Sequence, residues 1–451
     1  MKRRPLFSML IVSLGALSVQ AQSTSSPDAP TSTRPRTVTT TSPTGTVKPQ
    51  TSVQQPASTE PPRVVPSPVP LSVLTPANQA AINATARSLG IEKIRARITE
   101  AERLLKTRPM PTAIIAPRPS LPTSPTSGSS STLPASTGSS TPSASPSIDF
   151  VTIAALDTLT SKIHFVTLPK TLFLQKGAEA NVTTSEGTLV NLRVLRANGV
   201  NTAVMIFDST GRSLAPLVVQ YPVERGGRFF ETAYYTSAHP ALLSPDVVRS
   251  GQSYVRSMID LAARRLELKG NKISPDILDV AERLCVVEHT DHDRYRRENR
   301  PALFEEIFAL YALNELETYR YAVSFAGAGG MVQMIPATYR MVRTKHPGIG
   351  LNPDFVVGMR NHGNALEAML LYMQDTWNDL AADEDVVYAL SEKLATQAEL
   401  MAAGYNSNPA RLPLYLNRGG SAWRSLIPRE TQLYLQIYKT LQGLVPMKSR
   451  V

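Results

Sequence analysis

The chain has 451 residues, a net charge of +11 and a hydrophobic fraction of 42%. These averages hide an uneven distribution, because the stretch from Gln22 to Asp149 contains no Phe, Trp or Tyr and holds 21 of the 36 prolines. A segment this poor in large apolar groups cannot offset the entropy of ordering its backbone. We therefore exclude a chain that is globular throughout, and predict a disordered Pro/Ser/Thr-rich linker over residues 22–149.

The N-terminus has the pattern of an export signal. Three basic residues follow Met1, an apolar run extends from Leu6 to Leu17, and small residues lead up to Ala21. This order is typical of a secretory signal peptide. We expect cleavage after residue 21 and a mature protein in the periplasm or cell wall, the alternative being an uncleaved anchor. No later run is long enough to predict a transmembrane helix.

One part of the predicted linker, residues 91–106, has the spacing of an amphipathic helix. Five apolar residues fall on one face: Ile91, Ile94, Ile98, Ala101 and Leu105. Because isolated helices of this length are weak, we interpret it as a marginal helix without a specific role. The alternative is pairing with a partner helix or with a second copy of itself.

Between Ile163 and Val223 the pattern changes to short β-branched and aromatic runs. Turn-forming groups such as Asn198-Gly199 separate these runs, which is typical of short antiparallel strands. We predict a small antiparallel β domain over residues 150–235, sandwich-like or barrel-like. Its expected role is binding or spacing, and a protein partner would bind through it or through the 91–106 helix.

From Ser244 onward the hydrophobic spacing is helical. Ser244-Pro245-Asp246 and Ser274-Pro275-Asp276 each combine an N-cap serine with proline in the first turn. Further helices are predicted at residues 362–380, 385–403 and 428–444. Residues 236–451 are therefore predicted to form an all-α domain.

The predicted helix that begins at Ser274 leads through apolar residues to Glu288. Desolvation and the negative end of the helix dipole both raise the pKa of such a carboxyl, as a general acid near neutral pH requires. Cys285, in the same apolar run, is expected to be buried and inert. The polar loop that follows, residues 289–293, lacks the spacing of a known metal site. We expect no metal and no other cofactor.

A glycine-rich segment from Ala322 to Thr338 carries the most specific signal. It resembles the "S-x-A-G-A-x-G-x-x-Q-x-x-P-x-T" signature of the soluble lytic transglycosylase family, whose catalytic domain has a lysozyme-like all-α fold. Segments 351–373, 402–406 and 427–434 resemble three further motifs of that family, in the same order, so the resemblance covers roughly residues 244–444. The chain departs from the family pattern at His289, where serine is usual, and at residues 407–409, where Gly-Pro is usual.

The resemblance implies an enzyme that cleaves the bond between N-acetylmuramic acid and N-acetylglucosamine in peptidoglycan without water, leaving 1,6-anhydromuramic ends. By the same resemblance, Glu288 is the acid and then the base. Gln333 and Met334 line the glycan cleft, while Tyr405 and Asn406 hold the acid and the substrate acetamido group. Peptidoglycan strands are the expected partner. Nucleic acid is not, because the positive charge is spread along an exported chain.

A second glutamate competes for the catalytic role. The family's usual spacing, counted back from Gln333, reaches Glu315, whereas Glu288 requires an inserted helix near residues 303–313. We prefer Glu288 because it ends a long helix and opens into a polar loop, while Glu315 is followed by Leu316 and Glu317. Two other functions stay open: a goose-type lysozyme-like hydrolase, and a catalytically inactive peptidoglycan-binding scaffold.

Overall fold

The computed structural model describes residues 75–110 and 150–450. Two helices come first, α1 (Pro76–Ser88) and α2 (Ile91–Lys106). The predicted signal peptide and most of the predicted linker lie outside the described residues.

Seven antiparallel strands and one short helix make up residues 150–235. They are β1 (Phe150–Leu156), β2 (Ile163–Pro169), α3 (Lys170–Phe173), β3 (Glu179–Thr183), β4 (Leu189–Arg196), β5 (Ala203–Asp208), β6 (Ser213–Arg225) and β7 (Arg228–Tyr235). The strand order is β2-β1-β6-β5-β4-β3, with β7 on β6. The edge strands meet where the Ser185 amide donates to the Phe165 carbonyl at 3.0 Å. The predicted antiparallel sheet is therefore confirmed, and it is nearly closed into a barrel.

Inside the barrel, alternate residues of each strand fill an apolar core. Val166 and Leu168 of β2 are fully buried there, while Phe165 and Thr167, which alternate with them, are partly exposed on the outer face. This alternation follows from the two-residue period of a strand. The barrel core continues into the helical part without a break.

The helical part, residues 240–445, confirms the predicted helical organisation of the C-terminal region. Its α-helices are α4 (Pro245–Leu268), α5 (Pro275–Val287), α6 (His292–Arg297), α7 (Arg300–Asn314), α8 (Pro336–Lys345), α9 (Phe355–Arg360), α10 (His362–Ala381), α11 (Glu384–Ser391), α12 (Gln397–Asn406), α13 (Leu412–Gly419) and α14 (Arg429–Leu444). Among the described residues, no helix is both long enough and apolar enough to cross a membrane.

Two local predictions in this part were wrong. The single helix predicted over residues 385–403 is two helices, because Thr396 and Glu399 form a capping box that starts α12 afresh. Ser274 precedes α5 as predicted, but its hydroxyl does not cap the helix and is buried without a hydrogen-bond partner. Ser244 does cap α4, accepting from the Val247 amide.

The helix predicted at residues 91–106 is confirmed as α2, but the disorder predicted around it was wrong for residues 75–110. Ile94, Ala101 and Leu105 of α2 are completely buried. They form a second apolar cluster with outer-face residues of the sheet, such as Leu217, and with helix residues such as Leu313. The α2 helix is stable because the barrel and the helical part together give its apolar face a partner.

Ionic contacts hold the helix that leads to Glu288. Arg450, near the C-terminus, pairs with Asp260 of α4 at 2.8 Å, and with Asp279 and Glu282 of α5 at 2.8 and 2.5 Å. Its side chain is only 9% exposed. The end of the described chain is thereby tied to α4 and α5.

We expect Ile94→Ala to lower the free energy of unfolding by about 2–5 kcal/mol, the usual cost of truncating a fully buried aliphatic side chain. Urea denaturation measures the change. Lys93→Ala, an exposed neighbour on the same helix, is the matched control and should change stability by less than about 0.5 kcal/mol. Equal stability of the two variants would show that α2 is not docked in solution.

Candidate active site

Glu288 lies at the C-terminal cap of α5, a helix whose apolar residues are packed in the core. Its carboxyl group is partly buried and accepts a hydrogen bond at Oε1 from the Tyr434 hydroxyl of α14, at 2.5 Å. These two residues are far apart in sequence, so the packing of α14 against α5 creates the contact. The hydrogen bond fixes one carboxyl oxygen and leaves Oε2 for other chemistry.

The environment favours the protonated form of this carboxyl. Burial raises the pKa of Glu288 to about 8, and the negative charge of nearby Glu430 adds to the increase. The hydrogen bond from Tyr434 opposes both, because it stabilises the carboxylate. Near neutral pH the group can therefore give up a proton and take one back, as an acid–base catalyst must.

The glycine-rich loop turns sharply beside this helix end. Gly330 has φ 67°, and a Cβ atom there would lie 2.1 Å from the Met359 carbonyl oxygen, so only glycine fits. Gln333 has φ 45°, an unusual conformation for a residue with a side chain. Its Nε2 donates to the Gly330 carbonyl at 2.8 Å, which closes the turn on itself.

Two side chains hold consecutive carbonyl groups of this loop. His289 Nε2 lies 3.0 Å from the Met331 oxygen, and the Tyr405 hydroxyl donates to the Val332 oxygen at 2.6 Å. Burial lowers the pKa of His289 to about 3, so its ring is neutral, and Nε2 carries the proton that it donates. Since His289 directly follows Glu288, its hydrogen bond to Met331 holds the glycine-rich loop close to the end of α5 that carries Glu288.

The ring of His289 is in turn fixed by Tyr319. The two rings are nearly parallel, with 3.3 Å between their centroids. Tyr319 follows α7, the helix observed where an insertion near residues 303–313 was expected. Tyr311 of α7 donates its hydroxyl to the Cys285 carbonyl at 2.8 Å. The α7 helix therefore contacts the last turn of α5 directly.

Two of the sequence-predicted site residues differ from expectation. Tyr405 does not hold the acid, since its hydroxyl goes to Val332 and Tyr434 contacts Glu288 instead. Met334 is only 3% exposed and packs in the core, so it offers a glycan almost no surface.

The other two predicted substrate-binding residues are Gln333 and Asn406. Gln333 is partly exposed. Asn406 accepts a hydrogen bond at Oδ1 from the Thr431 hydroxyl at 2.9 Å.

Glu315 lies in a different environment from Glu288. It caps the C-terminal end of α7 with φ 45°, and its carboxylate pairs with Arg95 of α2 at 2.7 Å. Its side chain is 49% exposed. The Glu315 carboxylate is thus exposed and paired with a cation, whereas the Glu288 carboxyl group is partly buried and bonded to a neutral hydroxyl.

Other polar groups near Glu288 have structural contacts. Asp291 caps α6 by accepting from the amides of Asp293 and Arg294. In the described part of the chain, no group of three or more His, Cys, Asp or Glu side chains is arranged to hold a metal ion. Cys285 is buried, as the sequence predicts.

The sequence argument did not assign the roles of Tyr434, His289 and Arg95. Tyr434 could have been singled out from the sequence because it belongs to the last motif segment. His289 could have been singled out because the resembled family usually has serine at that position. No family model, curated protein or solved structure matches this chain. Its function is therefore inferred from the geometry around Glu288 and from the motif segments.

We expect Glu288→Gln to gain stability relative to the wild type as pH rises from 4.5 to 8. The unfolded carboxyl ionises near pH 4.5, whereas the folded one stays protonated up to about pH 8. The wild type therefore loses folding free energy across this window, while the amide does not titrate. Urea denaturation of both proteins at several pH values measures the difference. A difference that stays constant with pH would contradict the raised pKa.

We expect His289→Phe and Tyr405→Phe to loosen the glycine-rich loop. Each keeps an aromatic ring but removes one hydrogen bond, so the amides of residues 328–333 should exchange with deuterium about fivefold faster. His346→Phe is the matched control, because its partner is Asp375 of α10, which is not part of the glycine-rich loop. Unchanged exchange in both test variants would show that these contacts do not hold the loop.

Proposed function

We propose that this protein is an exported peptidoglycan lytic transglycosylase, with a lysozyme-like catalytic domain and Glu288 as its acid and base. The observation that carries the proposal is the Glu288 carboxyl itself. It is partly buried, it has a pKa of about 8, and a tyrosine hydroxyl fixes one of its oxygens. A glycosidase acid needs this combination at neutral pH.

Three of the four motif segments support the same assignment because hydrogen bonds link them to this group. Tyr434, from the segment 427–434, contacts Glu288 directly. Tyr405, from the segment 402–406, binds the glycine-rich segment at Val332. Thr431 and Asn406 join the two C-terminal segments. Segments that lie far apart in sequence are thus linked to one carboxyl group by specific hydrogen bonds.

The proposed reaction has two proton transfers. Glu288 first gives the proton on Oε2 to the glycosidic oxygen, and the bond from that oxygen to C1 of muramic acid breaks. The substrate's acetamido oxygen assists at C1, so no carboxylate nucleophile is needed. The Glu288 carboxylate then takes the proton of the muramic acid 6-hydroxyl while O6 bonds to C1 and the acetamido oxygen is released from C1. The 1,6-anhydro ring closes and the acid is regenerated.

The side chains around Glu288 fit these steps. Tyr434 donates to Oε1 throughout, which stabilises the carboxylate formed after the first transfer. Asn406 uses only its Oδ1 among the described residues, so its amide nitrogen can donate to the acetamido oxygen. Gln333, partly exposed at the turn of the loop, can donate to or accept from a sugar hydroxyl. Glu315 has no part in this scheme, because it pairs with Arg95.

The proposed cellular setting comes from the N-terminal sequence. A signal-peptide pattern precedes a long Pro/Ser/Thr-rich stretch, and a peptidoglycan enzyme acts outside the inner membrane. The net charge of +11 suits an anionic cell-wall polymer.

A second candidate function is hydrolysis of the same bond with water. Glu430 favours it, because this second carboxylate lies close enough to raise the pKa of Glu288 and could activate a water molecule. The products separate the two reactions, since hydrolysis leaves reducing ends and the transglycosylase reaction leaves anhydro ends.

We expect Glu288→Gln to lower the release of muropeptides from purified peptidoglycan by at least about 100-fold, the usual contribution of a general acid. Glu315→Gln is the matched control and should keep near wild-type release. Mass spectrometry of the products from the wild type should detect 1,6-anhydromuramic ends.

Three outcomes would contradict the proposal. Activity that survives in Glu288→Gln but is lost in Glu315→Gln would transfer the catalytic role to Glu315. Reducing ends alone would favour the hydrolase. Glycan binding without any release by the wild type would favour the inactive scaffold.

A further inference from the structure

The outer face of the barrel carries an open cavity of about 330 Å³, here called the outer-sheet cavity. It lies where α2 ends. Under α2 the outward residues of the sheet are apolar, as at Ala154 and Leu217. Beyond the end of α2 the outward residues become polar, and Thr152, Thr167, Thr183 and Gln220 line the cavity.

Strand register puts three of these polar residues in one row. Gln220 of β6 is opposite Thr152 of β1, and Thr152 is opposite Thr167 of β2. Their side chains are set deep, since Gln220 is 2% exposed and Thr152 is 6% exposed. Polar groups this buried normally have hydrogen-bond partners. Here the described residues supply only some of the hydrogen bonds that these three side chains can form.

The hydrogen bonds within the row leave capacity for a ligand. The hydroxyl oxygens of Thr152 and Thr167 are 3.0 Å apart and share one hydrogen bond. Gln220 Nε2 donates to the Leu105 carbonyl at 3.3 Å and to the Tyr234 hydroxyl at 3.4 Å, whereas its amide oxygen has no donor among the described residues. The threonine hydroxyls can both donate and accept, and the Gln220 amide oxygen can accept. This mixture matches the hydroxyl and acetamido groups of a sugar.

One cation lies at the mouth of the cavity. The Arg108 guanidinium stacks on the Phe165 ring, 4.1 Å from its centroid. It forms no ion pair with any described residue, and none of the residues lining the cavity is acidic. Stacking uses the face of the guanidinium and leaves its N–H groups, which lie in the plane, free to bind a carboxylate.

We propose that the outer-sheet cavity binds a saccharide unit that carries a free carboxylate, such as muramic acid whose lactyl group bears no peptide. The choice of a peptidoglycan sugar rests on the proposed function. The cavity volume is at the lower end for ligand sites and suits one or two sugar units. The carboxylate pairs with Arg108, and the sugar hydroxyls and acetamido group meet the row of Thr and Gln side chains. The barrel is then a second glycan-binding site on the enzyme.

The test uses the full chain with Glu288→Gln, so that no ligand is consumed. The disaccharide of N-acetylglucosamine and N-acetylmuramic acid, with its lactyl carboxylate free, is titrated by calorimetry. Diacetylchitobiose, which lacks the carboxylate, is the comparison ligand. Amide NMR shifts in residues 150–235 report binding at the barrel separately from binding near residue 288.

Two sets of variants probe the cavity. Arg108→Gln should weaken binding of the acidic disaccharide at the barrel about tenfold, the loss expected for one charge-assisted contact, and leave chitobiose unchanged. The double variant Thr152→Val with Thr167→Val should abolish the barrel shifts. It removes both partners of one hydrogen bond, so the fold should survive. Thr232→Val on β7, outside the cavity, is the matched control.

Several results would overturn the proposal: no shifts in residues 150–235, shifts that persist in the double Val variant, or equal affinity for the two ligands in the protein with Arg108 intact. Failure of the proposed function is a separate result. It would be an absence of glycan cleavage by the wild type, and the binding experiment does not depend on cleavage.

Discussion

The burial of the Glu288 carboxyl group at the end of α5 determines which contacts the surrounding helices must make. A helix packed in the core delivers Glu288 to a site where its charged form is poorly solvated, and such a group is costly unless it is protonated or receives a hydrogen bond. Tyr434 supplies that bond from α14. The packing of α14 against α5 is therefore also a condition for the acidity of Glu288, so the fold and the chemistry of the site depend on the same contact.

His289 is connected to the segment that lies between Glu288 and Gln333. Its ring needs a neighbour and an acceptor. Tyr319, which follows α7, supplies the stacking surface, and the Met331 carbonyl supplies the acceptor. His289, Tyr319 and the glycine-rich loop therefore pack together beside the end of α5.

Local patterns predicted four of the seven strands, β2, β4, β5 and β6, as well as the start of α5 and the place of Glu288 at its end, because each depends on nearby residues. The partners of the site residues could not be predicted in the same way. Tyr434 and Arg95 reach their glutamates only through tertiary packing. The docked α2 was missed for a related reason, since an aromatic-free segment looks unable to fold until its partner surface is known. The break before α12 depended on a side-chain cap within a continuous helical pattern.

The docking of α2 also changes what counts as the folding unit. The apolar groove that α2 covers is made by β1, β6 and α7, yet α2 is joined to β1 only through residues 111–149. The connection keeps the helix at a high effective concentration beside its groove. A cut in residues 111–149 would make the docking of α2 on its groove intermolecular, so that dilution could separate the two pieces. The groove would then be open to the α2 helix of another copy of the chain.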